Sequence, residues 1–262
     1  MQTKEVEKAK GGIPLFIIVG VLAIVVVGGY WLYSSSSKKV SSNANRANAA
    51  ATKPSGTPAN APAGATPPNM LGSSAAAVTV EEFADFQCPS CGTTHPIMKQ
   101  IQSIYGSRIK FIFRNFPLQM HDKAFDAAAA AEAAGMQGSD KYWAMQNQLY
   151  TNQQAWASDP NYKQIFKSYA EKIGLDTNKW ETDMAGMAAR SRVQADIERG
   201  RALAINQTPT VFVNGKNVPY TEVNVNSLRQ IIDAELQASQ PSAAAQNSNS
   251  NEANANSSGN SK

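Results

Sequence analysis

Two cysteines separated by only two residues are the feature that most constrains this chain. Cys88 and Cys91 are the only cysteines among 262 residues, and they lie within Asp85-Phe86-Gln87-Cys88-Pro89-Ser90-Cys91. If a helix begins here, its unpaired backbone N–H groups and the positive end of its dipole favour a thiolate at Cys88. Cys88 is therefore the candidate nucleophile. Cys91 follows one helical turn later, where it can resolve a mixed disulfide.

The residues around the cysteine pair predict a strand followed by a helix. Residues 77–83 are rich in β-branched side chains and predict a strand that leads to the cysteines. Pro89 suits the first helical position, and apolar residues recur at helical spacing until Gly106 offers a stop. These apolar positions are Ile97, Ile101 and Ile104. The strand is thus expected to deliver the pair to the tip of a helix.

The remaining pattern predicts a mixed α/β sheet. A second strand is expected at residues 108–113, and Asn214-Gly215 between two strand-like segments predicts a hairpin with a type I′ turn. Helices are expected at residues 123–134, from Ser139 onward, at 161–174, at about 178–201 with interruptions at Gly186 and Gly200, and around Leu228, Ile231, Ile232 and Leu236. Two βα units split by a helical block predict a sheet covered on both faces.

An uncharged apolar segment near the N-terminus predicts a membrane anchor. It begins at Ile13, ends at Tyr33 and contains about 20 residues, enough for a helix of roughly 30 Å. Its last residues, Tyr30-Trp31-Leu32-Tyr33, are typical of an interfacial aromatic belt. A cleaved signal peptide is the alternative, but its apolar region is usually about 7 to 15 residues long. We expect a retained single-pass anchor at residues 13–33, with residues 1–12 on the cytoplasmic side.

Two polar segments are predicted to be disordered. Residues 34–72 are mostly Ser, Asn, Ala, Thr, Pro and Gly, and residues 238–262 form an Asn/Ser/Ala tail. Neither segment contains enough apolar surface to offset the loss of chain entropy on folding. We therefore expect residues 34–72 to tether the anchor to one folded domain at residues 73–237.

The basic charge of the chain lies outside the predicted domain. The formal net charge is +4, but residues 1–71 hold seven basic and two acidic side chains, whereas residues 72–240 hold 16 basic and 17 acidic ones. A nucleic-acid-binding domain normally carries a basic patch or stripe. We therefore expect no binding to nucleic acid.

Three motifs, taken in order, resemble those of the DsbA-like thiol–disulfide oxidoreductases. They are Cys88-Pro89-Ser90-Cys91, Phe113-Arg114-Asn115-Phe116-Pro117-Leu118 with His121, and Thr208-Pro209-Thr210-Val211-Phe212-Val213-Asn214-Gly215. The resemblance covers about residues 77–237. It implies a thioredoxin-like α/β fold with an inserted helical domain, here at about residues 121–203.

The resemblance also implies roles for five residues. Cys88 corresponds to the family's attacking cysteine, and Cys91 to its buried resolving cysteine. Thr208 and Pro209 correspond to the segment that faces the active sulfurs, where the family holds the proline cis. Glu82 falls where the family often has a buried acid that assists proton transfer. An ordinary strand-end glutamate is the alternative for Glu82.

Two residues depart from the family pattern. Ser90 stands where strongly oxidising members have histidine, so a weaker hydroxyl donor replaces a partner that stabilises the thiolate. Gln207 stands before Thr208, where family members frequently have a small residue. The first departure bears on oxidising power, and the second bears on the approach of peptide substrates.

A structural disulfide and a zinc site are the alternatives for the cysteine pair. Closing so short a loop removes little chain entropy, so a stabilising bridge would sooner link distant elements. Zinc would need Cys88, Cys91, His95 and His121, but no second paired motif exists and Pro96 follows His95. We expect His95 on the helix surface, His121 in a structural role, and neither metal nor cofactor.

The favoured interpretation is a membrane-anchored, extracytoplasmic enzyme that oxidises dithiols of secreted proteins through a Cys88–Cys91 disulfide. An extracytoplasmic domain is expected because a dithiol pair can rest as a disulfide only in an oxidising compartment. The resemblance implies reduced or unfolded secreted proteins as substrates and a quinone-linked thiol oxidase of the membrane as reoxidant. A reductase or isomerase of the same fold, and a redox-silent, membrane-tethered peptide-binding module, are the alternatives.

Overall fold

The computed structural model describes residues 60–240, in which a five-stranded sheet carries the fold. The strands are β1 (Asn69–Gly72), β2 (Val78–Ala84), β3 (Ile109–Asn115), β4 (Thr210–Val213) and β5 (Lys216–Val218). They lie in the order β1-β3-β2-β4-β5, with β2 parallel to β3 and the other neighbours antiparallel. The predicted mixed sheet is therefore confirmed, with β2 at its centre.

Eight α-helices lie within the described residues. They are α1 (Pro89–Tyr105), α2 (Ala124–Gly135), α3 (Ser139–Thr151), α4 (Gln153–Trp156), α5 (Tyr162–Lys172), α6 (Thr177–Ala185), α7 (Met187–Ala202) and α8 (Val225–Ala238). Helices α2 to α7 lie between β3 and β4 in the sequence, close to the predicted insertion at about 121–203. The interruption predicted at Gly186 is confirmed, because this residue has extended backbone angles and separates α6 from α7. The interruption predicted at Gly200 is wrong, because Gly200 lies within α7.

Strand β2 leads directly to the cysteine pair. Its alternate residues Glu81 and Phe83 face α7, since Arg199 binds Glu81 and a Cβ added at Gly200 would lie 3.3 Å from Phe83. Successive strand residues point to opposite faces of a sheet, so Glu82 faces away from α7. The strand ends at Ala84, and its position between β3 and β4 fixes the chain that enters α1.

Three arginines and three carboxylates form a charge network between the sheet and the insertion. Its members are Arg114, Arg192, Arg199, Glu81, Glu132 and Asp196. Arg114 of β3 donates to Glu81 at 2.8 Å and to Asp196 of α7 at 3.0 Å. Asp196 is completely buried, and Arg114 is only 5% exposed. Because buried charges need partners, the network ties β2 and β3 to α7.

The segment that precedes β1 is bound to the same network. Ala65 is buried, its N–H donates to Asp196 at 2.8 Å, and its carbonyl accepts from Arg114 at 3.0 Å. Arg192 donates to the carbonyl of Pro67 at 2.9 Å. We call residues 60–68 the strap, because their backbone is held across the arginines and carboxylates.

The prediction of a disordered tether over residues 34–72 is therefore wrong at its end. Residues Asn69–Gly72 form β1, which pairs with β3, and the strap before it makes buried backbone hydrogen bonds. Local sequence pattern could not predict this order, because the strap consists mainly of Ala, Pro and Gly and its hydrogen bonds come from distant arginines and a distant carboxylate. Residues 34–59 lie outside the described part of the chain.

The C-terminal elements of the domain follow the prediction. Asn214 and Gly215 both have positive φ angles, 48° and 75°, and connect β4 to β5 as a type I′ turn requires. Helix α8 then packs on α1, where the Tyr105 hydroxyl donates to Asp233 at 2.8 Å. No helix within residues 60–240 is long and apolar enough to cross a membrane. The predicted anchor at residues 13–33 lies outside the described residues.

Candidate active site

Cys88 and Cys91 lie at the N-terminus of α1, where the sequence places them. Cys88 is the N-cap residue, and its carbonyl accepts a hydrogen bond of 3.1 Å from the Gly92 N–H. Both cysteines are free thiols in this structure. Cys88 is 7% exposed to solvent, whereas Cys91 is 1% exposed. A thiol that approaches from solvent therefore meets Cys88 first.

Hydrogen-bond donors around the Cys88 sulfur favour its thiolate. The pKa of Cys88 is lowered from an ordinary 9.0 to about 5, chiefly because the Cys91 thiol donates to it. Burial opposes this shift, while the Thr208 hydroxyl and the backbone N–H groups of Cys91 and Ser90 lower the pKa further. These two N–H groups belong to the unpaired donors of the first helical turn. Ser90 thus contributes through its backbone.

Cys91 has the opposite environment. Burial raises the pKa of Cys91 well above 9.0, and the neighbouring Cys88 raises it further. The backbone N–H of Asp85 points to the Cys91 sulfur at 3.4 Å and acts in the lowering direction. At neutral pH the two sulfurs therefore carry different charges, with a thiolate at Cys88 and a thiol at Cys91.

The loop before β4 brings Thr208 and Pro209 to the cysteines. Thr210 pairs with Phe83 near the end of β2, so the preceding residues extend past that strand end. The Thr208 carbonyl lies 3.5 Å from the Cys88 sulfur, and the Thr208–Pro209 peptide bond is cis. The Thr208 hydroxyl is buried and lowers the pKa of both thiols, but it makes no hydrogen bond of normal geometry within the described residues.

Glu82 is a buried carboxyl group on the sheet face opposite α7. It is 4% exposed, and burial raises its pKa from 4.5 to about 8. Within the described residues, no hydrogen bond joins its side chain to either sulfur or to any other group. Glu82 is therefore a neutral acid at pH 7, which is the form that can exchange a proton with a thiolate. Its catalytic role remains a prediction.

Asp85 is a site residue that sequence reasoning did not identify. Its carboxylate is buried and accepts hydrogen bonds from the N–H groups of Gln87 and Leu118 at 2.7 and 2.8 Å. The Nδ1 atom of His121 lies 2.7 Å from the same carboxylate. Asp85 thereby fixes both the chain that enters Cys88 and the loop after β3. An acid three residues before the first cysteine was the available signal.

His95 does not lie on the helix surface, so that prediction is wrong. It is 9% exposed, and its ring stacks on Tyr150 of α3 with 4.8 Å between the ring centroids. Burial lowers the pKa of His95 to about 4, so its imidazole is neutral at pH 7. His95 is buried because α3 of the helical insertion covers this side of α1. Within residues 60–240, no cluster of three or more His, Cys, Asp or Glu side chains could hold a metal ion.

The chain is similar in sequence to two kinds of curated protein. A family model described as thioredoxin matches residues 65–234. The chain is 35% identical over 144 residues to the Na(+)/H(+) antiporter NhaA 1 of Mycolicibacterium gilvum, covering 54% of this chain but only 22% of the antiporter. It is 30% identical over 174 residues to the probable disulfide bond formation protein D of Bacillus cereus, covering 63% and 77% respectively.

Solved structures show the same fold. BdbD from Bacillus subtilis, in its oxidised form, aligns with a TM-score of 0.58 and 24% identity, over 68% of this chain and 98% of BdbD. The alpha-DsbA1 protein of Wolbachia pipientis aligns with a TM-score of 0.55 and 18% identity, over 66% and 92%. Their fold agrees with the thioredoxin-like sheet and helical insertion described above.

Proposed function

This chain belongs to the DsbA-like thiol–disulfide oxidoreductases of the thioredoxin family, and from that premise we propose that it oxidises dithiols of secreted proteins. Cys88 is the residue that exchanges with substrate, and Cys91 is the resolving residue. The observation that carries this proposal is the contrast between the two sulfurs: Cys88 is the more accessible and is stabilised as a thiolate, whereas Cys91 is sealed and protonated.

The proposed reaction consists of two exchanges. A substrate thiolate attacks Cys88 in the Cys88–Cys91 disulfide, so a mixed disulfide forms and Cys91 leaves with the electron pair of the broken bond. Cys91 then takes up a proton, for which the buried acid Glu82 is the proposed donor. The second substrate thiolate attacks the substrate sulfur of the mixed disulfide and releases Cys88 as a thiolate. The substrate has lost two electrons, and the enzyme has gained them.

Stabilisation of the Cys88 thiolate favours this direction. A thiol with a low pKa is a better leaving group, which speeds the second exchange. The same stabilisation lowers the free energy of the reduced enzyme relative to the disulfide form, which has no thiolate to stabilise. The donors to Cys88 therefore make the disulfide a stronger oxidant.

The reduced enzyme needs an electron acceptor before it can react again. We propose that a quinone-linked thiol oxidase of the membrane takes the two electrons, and that the segment from Ile13 to Tyr33 holds the extracytoplasmic domain near it. The similarity of this domain to part of a protein named as an Na(+)/H(+) antiporter supports a membrane setting. The reductase direction is the second candidate, because Ser90 replaces the histidine of strongly oxidising members.

Serine variants test the assignment of the two cysteines. Cys88→Ser should abolish oxidation of a reduced protein substrate, because no sulfur remains for the substrate to attack. Cys91→Ser should also lose oxidation, because the Cys88–Cys91 disulfide can no longer form. When this variant is offered a disulfide-bonded substrate, its Cys88 thiolate should accumulate mixed disulfides, because no Cys91 thiol remains to resolve them. Both would be measured by non-reducing electrophoresis and by the rate of substrate oxidation. Wild-type activity in the Cys88 variant would refute the proposal.

A further inference from the structure

The side chain of Gln153, in the helical insertion, binds the backbone of the two residues next to Gln87, which are Phe86 and Cys88. These residues lie immediately before α1. Gln153 is the first residue of α4. Its Nε2 atom donates to the carbonyl of Phe86 at 2.7 Å and to the carbonyl of Cys88 at 2.8 Å. Both hydrogens of the amide are therefore used on backbone that leads to the nucleophile.

The carbonyl oxygens of Phe86 and Cys88 can each accept a hydrogen bond that the backbone of α1 does not supply. The Cys88 carbonyl already accepts the Gly92 N–H at 3.1 Å, and Gln153 occupies its other side. The Phe86 carbonyl precedes the helix, so no helical N–H reaches it. The Gln87 N–H in the same peptide unit goes to Asp85. Gln153 thus holds the Phe86–Gln87 peptide unit, which precedes Cys88, and the Cys88–Pro89 peptide unit, which follows it.

Gly92 provides the room that Gln153 needs. A Cβ added at Gly92 would lie 2.7 Å from the Oε1 atom of Gln153, which is shorter than any normal contact. The Gln153 amide is the far end of a flexible side chain, so a side chain at position 92 would displace it. Gly92 has ordinary helical backbone angles, so its lack of a side chain, and not a special conformation, is what matters here.

Given the thiol-exchange function proposed above, we propose that Gln153 is a positioning residue, which holds the Cys88 backbone so that the sulfur stays aligned with the N–H groups of the helix tip. The insertion thereby acts on the redox pair through one amide. When Gln153 is lost, the peptide units before α1 lose two donors and the sulfur departs from its best alignment. The Cys88 thiolate is then less stable and a poorer leaving group, so its release in the second exchange is slower.

Gln153→Ala in the full chain tests this inference, with Gln154→Ala as the matched control. Gln154 borders the same surface groove, of about 640 Å³, but its side chain makes no hydrogen bond within the described residues. The pKa of Cys88 would be measured from the pH dependence of thiolate absorbance, together with the reduction potential. We expect Gln153→Ala to raise the Cys88 pKa by about one unit, the scale of one helix-tip N–H hydrogen bond lost by the misaligned thiolate. Gln154→Ala should leave it unchanged.

Gly92→Ala is the second variant and keeps the test decisive if Gln153→Ala does not fold. Alanine favours helix more than glycine does, so a purely structural effect predicts equal or higher thermal stability and an unaltered Cys88 pKa. Displacement of Gln153 predicts a raised Cys88 pKa despite that stability. A pKa within about 0.2 units of wild type in both variants, well below the one-unit shift expected, would overturn the inference.

The two proposals fail in different ways. An ordinary Cys88 pKa in the wild-type protein would contradict the proposed oxidase function itself. A low pKa in wild type that survives both Gln153→Ala and Gly92→Ala would leave the function intact and refute only the role of Gln153. Gln153→Glu adds a further check, because a carboxylate cannot donate to the two carbonyls and brings negative charge toward the thiolate. It should raise the pKa more than Gln153→Ala does.

Discussion

At Cys88 and Cys91, two chemically identical side chains one helical turn apart are driven to opposite protonation states. Cys88 receives donors from Cys91, Thr208 and the helix tip, which lower its pKa to about 5. Cys91 is buried beneath it, and burial raises its pKa well above 9.0. Cys88 is therefore a good leaving group in thiol–disulfide exchange, whereas Cys91 stays protonated in the reduced protein.

This contrast predicts how stability depends on pH. The Cys88 pKa is depressed on folding, from 9.0 to about 5, so the reduced protein gains stability as pH rises from about 5 to 9 and loses it as pH falls back through 5. At pH 7 the gain is about 3 kcal/mol, from two pH units at about 1.4 kcal/mol each. The measurement is the free energy of unfolding of the reduced protein minus that of the oxidised protein, at several pH values.

Comparing the two redox forms at each pH cancels the titration of groups far from the cysteine pair. Cys88→Ser in the reduced state is the control, because it should lose the rise in stability between pH 5 and 9. A difference between the two redox forms that stays flat over this range would show that Cys88 ionises as an ordinary thiol.

Among the elements, α7 is the one that joins the sheet, the insertion and the strap. Asp196 on α7 accepts hydrogen bonds from the N–H groups of Ala65 and Asn115 and from the Arg114 guanidinium. All these donors converge on one completely buried carboxylate. A soluble fragment that begins at Gly72 would lack the strap, so it would leave part of this network without partners. Fragments should therefore begin before Pro62.

Asp196→Asn should destabilise the protein by about 3 kcal/mol, because an amide group cannot accept from all these donors and leaves Arg114 with less negative charge nearby. Asp183→Asn on α6 is the matched control, since Asp183 forms only a helical surface pair with Lys179 and should cost about 0.5 kcal/mol or less. Chemical denaturation at pH 7 would measure both. Equal losses in the two variants would contradict the importance of the buried network.

At the scale of the elements, sequence patterns correctly predicted those helices, strands and turns that depend on neighbouring residues alone. The strand before Cys88, the helix after Pro89 and the Asn214-Gly215 turn follow from β-branching, periodicity and backbone preferences, and each is confirmed. The strap and the burial of His95 could not be predicted this way. Both depend on side chains far away in the sequence, Arg114 and Asp196 for the strap and Tyr150 for His95.

For the whole molecule, the fold brings residues from four separate parts of the chain together at one site. The end of β2, the tip of α1, the loop before β4 and the insertion all meet at Cys88. The sequence resemblance identified Cys88, Cys91, Thr208 and Pro209, and the structure brings these four together. It did not identify Asp85, whose place three residues before Cys88 was its one signal, or Gln153, because only the fold shows which backbone groups these two side chains bind.

The reduction potential of the Cys88–Cys91 pair in the full chain tests the central claim most directly. It would be measured by equilibration against glutathione buffers of known ratio, with the thiol state read by alkylation. A stabilised Cys88 thiolate predicts a potential less negative than about −200 mV, on the oxidising side of the glutathione couple. A potential near about −270 mV, as in thioredoxin, would contradict the oxidase account and favour the reductase direction.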